Sequence, residues 1–164
     1  MSDKDIPHRN TFRNEILRRA HLSEGKVCEK FKVLPCKISF TFDASTSERG
    51  DPYLSITGHY IDAPVDRPNE WELKSEQLAF QEIEGRHTGK NIAQILSRSI
   101  EWYGIWHGKV SCIKIYYTLF TDYSSQVGWM TSDGASVNRT TIREFGRLLT
   151  DADGDWSAEE HDML

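Results

Sequence analysis

The sequence predicts an α/β fold in which a mixed sheet, three antiparallel strands plus a parallel fourth strand, is flanked by helices. Two changes of hydrophobic period carry this reading. Apolar residues alternate with polar ones through 37–83, then recur at helical spacing through 88–103. The same switch repeats from a short apolar run after residue 126 to a helical stretch beyond it. Strands joined by tight turns pair antiparallel, whereas a strand regained after a helix returns parallel, and the crossover rule seats it beside the first strand.

Each element follows from its own residues. Thr11–Leu22 sets Phe12, Ile16, Leu17 and Ala20 on one side of a helix capped by Thr11, and a second short helix covers Ser23–Phe31. In "ISFTFDASTS", Ile38, Phe40 and Phe42 alternate with Ser39 and Thr41, so strand one runs Lys37–Phe42 and stops at Asp43. Strand two, "YLSITGHYID", alternates Leu54, Ile56, Gly58 and Tyr60 against Ser55, Thr57 and His59, after a tight turn in "SERGDP". Strand three, "WELKSEQLAFQEI", holds a period of two through Trp71, Leu73 and Ser75, then slips once before Leu78 and Phe80, as across a bulge. "HTGKNIAQILSRSIEWYGI" places Ile92, Ile95, Leu96, Ile100 and Tyr103 at helical spacing, with Thr88 as cap and Gly104 as stop. "VGWMTSDGAS" is a fourth strand closing on Asp133, and it feeds a helix through Ile142, Phe145, Leu148 and Leu149.

Composition bounds the class. The 164 residues have ordinary apolar and charged fractions for a globular protein, and divide into an N-terminal helical segment 1–36, a sheet domain 37–150 and an acidic tail 151–164. The opening "MSDKDIPHRN" has no apolar core, and no run of about 18 apolar residues occurs, so the expectation is a soluble intracellular protein with no membrane association. Cys28, Cys36 and Cys112 lie in no CxxC or CxxH spacing, which argues against a disulfide framework or a zinc site. Net charge is −5; residues 1–40 carry +4 and 143–164 carry −5. A front of only +4 reads as a solvated helical face rather than a phosphate-binding surface.

Asp43 and Asp133 each leave the C-terminal end of a strand, and these two strands are expected to be neighbours. Alone, Asp43 with Ser45 reads as a pair of turn-formers. As neighbours, two carboxylates on a rigid platform make a seat for Mg²⁺ or Mn²⁺, and the chemistry such a seat serves is two-metal phosphoryl transfer with ions about 4 Å apart.

Four stretches, in order, resemble the catalytic core of the hAT superfamily of DDE transposases: "FDASTS", "LSITGHYID", "LKSEQLAFQEIEGRHTGKNIAQIL" and "GWMTSDGASVN", spanning roughly 37–145. The resemblance implies a partial ribonuclease-H-like fold, with Asp43 and Asp133 as the first two members of a catalytic, metal-binding Asp-Asp-Glu triad. It also implies a nuclear location, transposon-end DNA as partner, and a possible protein partner or oligomer. Ala44 and Val137 depart from the family's usual residues. The family's glutamate lies far downstream, and Glu144, Glu159 and Glu160 follow too closely to replace it. The expectation is a transposase fragment that is catalytically incomplete alone. The alternatives are a DNA- or protein-binding remnant that does not cleave, and a ribonuclease-H-like nuclease completing its site with Glu82 or Glu84.

Residues 110–126 interrupt the family pattern. They read either as an inserted edge strand, with Ile113, Ile115, Tyr117 and Leu119 alternating, or as a translated intron, since Val110-Ser111-Cys112 can be encoded by GTAAGTTGC and Gln126 by CAG. Other features take plainer readings. His59 is expected on the polar side of strand two; His87 is expected to fix the turn before the helix; Trp102, Tyr103 and Trp106 are expected in the core. "DADGDWSAE" lacks the glycine a calcium loop needs.

Overall fold

The computed structural model describes residues 8–34, 36–64, 66–105, 127–133 and 135–151. The chain runs α1 (Arg9–Lys32), β1 (Ile38–Thr46), β2 (Pro52–Asp62), β3 (Glu72–Glu82), α2 (Gly89–Trp102), β4 (Val127–Thr131) and α3 (Ser136–Asp151). The sheet order is β3-β2-β1-β4, with β1–β2 and β2–β3 antiparallel and β1–β4 parallel. This is the predicted α/β architecture. Residues 110–126, Trp106, Cys112, and the acidic run from 152 with Glu159 and Glu160 lie outside the described residues.

One face of the sheet is apolar and helix-covered. Ile38, Phe40, Phe42, Leu54, Ile56 and Tyr60 are buried there together with Ile92, Leu96 and Ile100 of α2 and Ile142, Phe145 and Leu149 of α3. Each such side chain contributes roughly 1.5–3 kcal/mol when fully buried, which is why these two helices are read correctly from their period. Thr88 caps α2 by accepting from the Asn91 backbone N–H, and Gly104, at φ 71°, ends it in a conformation glycine alone adopts readily. The opposite face carries Ser39, Thr41 and Asp43 of β1, paired across to His59, Thr57 and Ser55 of β2. On this polar side His59 bridges Thr41 Oγ1 at 3.0 Å and Ser75 Oγ at 3.1 Å, as its place in strand two predicts.

Several expectations are corrected. β1 does not stop at Asp43: its ladder continues to Thr46↔Pro52, because the turn lies farther out, where the Ser47 N–H donates to the Asp51 carbonyl. β4, by contrast, ends at Thr131, two residues before Asp133. The front is one helix, not two, and begins at His8 rather than Thr11. Ser23 and Gly25 cost helix propensity without breaking the chain's path. Only Phe31 of α1 is buried, edge-on to Tyr60 and Tyr103, while Phe12, Ile16 and Leu17 are exposed. Two of the basic residues at the front, Arg18 and Arg19, are held by Glu15, so part of that charge is neutralised within the helix. Trp102 is 67% exposed, whereas Tyr103 is buried and donates its hydroxyl to the Leu78 carbonyl. The slip in β3 falls where predicted, between Gln77 and Ala79, and turns Leu78 inward, yet Phe80 is exposed and stacks on Tyr53.

Candidate functional site

The parallel register of β1 on β4 runs Phe40↔Met130 and Thr41↔Thr131. Asp43 and Asp133 each lie two residues past this last pair, Asp43 still within β1 and Asp133 beyond the end of β4. Neighbouring strands run about 4.8 Å apart. β3 is parallel to β1 in this sheet, so β1, β3 and β4 all end at this edge, and α2 and α3 begin there. Two helix N-termini therefore follow strands that end at this edge, where they favour negative charge.

The two acids are held differently. Asp43 is exposed within β1, in register with Ser55, on the polar face that no described helix covers. Asp133 is fastened to the start of α3: its Oδ1 accepts from the Ala135 backbone N–H at 3.2 Å and from the Asn138 side-chain amide. Glu82 and Glu84 are exposed. Glu82 pairs with Tyr53 at the far strand, two strand spacings, or about 10 Å, from the row of Asp43. Among the described residues, no group of three or more His, Cys, Asp or Glu is placed to hold a metal ion. Asp43 and Asp133 are carboxylates, hard oxygen donors of the kind Mg²⁺ and Mn²⁺ take.

α2 and α3 meet closely at the same end. A Cβ on Gly89 would stand 2.7 Å from Thr140 side-chain carbons and from the Thr141 backbone nitrogen. The turn before α2 is fixed by Asn91, whose amide donates to the Glu84 and Arg86 carbonyls at 2.8 and 3.0 Å. His87, expected to do this, is exposed. Asn91, in the first turn of the helix, reaches back over the loop instead. The sequence reading also gave Asn138 no role. The signal available was its place in the first turn of a helix that starts just after an acid.

These features define a ribonuclease-H-like mixed sheet flanked by helices. The ZBED1 RNase-like domain family matches residues 41–155, and the chain belongs to that family. It is 26% identical over 149 residues to the AC transposase and to the AC9 transposase of Zea mays, matches that cover 90% of this chain and 15% of each relative. It is 20% identical over 144 residues to the transcriptional regulator tpeD of Talaromyces stipitatus, covering 88% of this chain and 14% of that protein. The chain thus spans about 15% of the length of the maize relatives it matches. No solved structure matches. With the hAT resemblance of its motifs, this makes the chain an hAT-transposase-related fragment. No described helix is long and apolar enough to cross a membrane.

Proposed function

We propose that the chain forms the cation-binding, ribonuclease-H-like part of a protein descended from hAT transposases, whose chemistry is two-metal phosphoryl transfer on DNA in the nucleus. The observation that supports this is the parallel β1–β4 register, whose last pair, Thr41↔Thr131, lies two residues before Asp43 and Asp133. These two residues would hold Mg²⁺ or Mn²⁺. A cation bound there supplies Lewis-acid polarisation of a phosphoryl oxygen and a more acidic water. The chain's own contribution is placement: Asp43 rides on a strand paired with β2 at Ser55, Asp133 is fastened to the start of α3, and Asp43 lies on a polar face that no described helix covers. The described residues offer two carboxylates where the resemblance implies three, so this chain is expected to bind cation and DNA without transferring strands.

A second reading has one observation behind it, the similarity to a transcriptional regulator: a remnant that binds DNA or a transposase without cleaving, and needs no cation. One set of incubations separates them. Duplex DNA with Mg²⁺ or Mn²⁺ is expected to bind and stay intact, with binding that weakens in Asp43→Asn and Asp133→Asn. Cleavage that disappears in those variants would establish the nuclease reading instead. Binding indifferent to both the cation and the variants would leave the regulator reading.

A further inference from the structure

The geometry points to Asn138 as the positioning residue that aims Asp133 at the cation, an inference that rests on the cation reading above. Asn138 is 3% exposed, in the first turn of α3, and its amide nitrogen donates to Asp133 Oδ1. Its own carbonyl oxygen, Oδ1, is buried and accepts no hydrogen bond. A buried acceptor without a donor is unfavourable by roughly 1–3 kcal/mol, and an apolar side chain of the same shape would remove that cost. The residue therefore sits against its own interest, and what it contributes lies at the other end of the amide.

That contribution is directional. The Ala135 N–H and the Asn138 amide converge on one oxygen of Asp133, and no described residue donates to the other, Oδ2. Two donors on one oxygen restrict the rotation of the carboxylate and set the direction in which Oδ2 is presented. Partners of this kind, which orient a ligand without touching the ion, change metal affinity by roughly 10–100-fold when removed. Asn138 is buried on a helix that packs against α2, so its reach to Asp133 is set by the α2–α3 contact and not by a mobile loop. Asn91 reaches back in the same way from the first turn of α2, but to carbonyls, where the reach fixes a turn. At α3 it falls on an acid.

The test is Mn²⁺ binding, read by loss of the free aqueous ion's electron paramagnetic resonance signal, on the full chain and on Asn138→Leu and Asn138→Ala. Melting temperature in EDTA is read alongside. Leucine keeps the volume and cannot donate; alanine serves if leucine fails to fold. The expected result is Mn²⁺ affinity at least about tenfold weaker in both variants, with melting temperatures in EDTA close to wild type. Equal affinity in wild type and variants, or weakening that tracks a lowered melting temperature, would overturn the role of Asn138 and leave the acid pair standing. Absence of Mn²⁺ binding in the wild-type chain would overturn both.

Discussion

Gly89→Ala tests the contact that sets α3 beside the site. Alanine is ordinarily the better helix former, and at an interior position the exchange stabilises by up to about 1 kcal/mol, less in the first turn. Here the added Cβ meets Thr140 Cβ and Cγ2 and the Thr141 backbone nitrogen, all at 2.7 Å, where ordinary contact starts at 3.4 Å. The backbone atom cannot rotate away, so α2 and α3 must part by about 0.7 Å. Overpacking of this kind destabilises by roughly 1–3 kcal/mol, and after the propensity gain a net loss of about 1–2 kcal/mol remains. For a chain of this size that lowers the melting temperature by about 2–8 °C. Thermal melting followed by circular dichroism reads it directly. A Gly89→Ala protein that melts at or above the wild-type temperature would refute the close approach and, with it, the packing that holds Asn138 in reach of Asp133.

Further outcomes follow from the same structure. Gly25→Ala, in α1 with nothing within 4 Å of the new methyl, is expected to raise stability by roughly 0.5–1 kcal/mol in the same assay, opposite in sign to Gly89→Ala; a lowered melting temperature would show that α1 is not continuous there. Burial pushes the Tyr103 phenol from its ordinary 10.0 up to about 12, so the folded state keeps a proton that the unfolded chain loses. That stability is present below pH 10 and falls between about pH 10 and 12, by about 1.4 kcal/mol per unit. Tyr103→Phe should flatten this alkaline limb in urea melts, and parallel losses in both proteins would contradict the assignment. Transcripts of this gene are expected to include a spliced form lacking the codons for 110–126, joining Lys109 to Val127, the first residue of β4; a population that always retains them would favour an insertion.

How legible the molecule is from its sequence depends on whether a feature is set locally or by a partner surface. α2 can be read almost residue by residue, because its cap Thr88, its stripe Ile92, Leu96 and Ile100, and its stop Gly104 are all local signals. α1 misleads because periodicity shows an apolar stripe but not whether anything packs on it: Phe12, Ile16 and Leu17 repeat as a core face would and are exposed, while burial falls on Phe31 near the other end. The overrun of β1 past Asp43 depends on where the hairpin turn closes, and polar Ser45 and Thr46 give no period to show it. That β1 and β4, the strands leading to Asp43 and Asp133, are neighbours follows from topology alone, through the crossover rule. Asn138 does not, since an asparagine on a helix is unremarkable until the coordinates show it buried, with one end on an acid and the other unpaired.

The most direct test of the shared cation site is paramagnetic broadening. Substoichiometric Mn²⁺ is added to the ¹⁵N-labelled chain, and amide signals are followed by nuclear magnetic resonance. A cation held between the two acids should broaden the amides around Asp43 and those around Asp133 at the same Mn²⁺ concentration, and Asp133→Asn should restore both sets together. Broadening confined to one of the two segments, or centred elsewhere on the chain, would contradict the account.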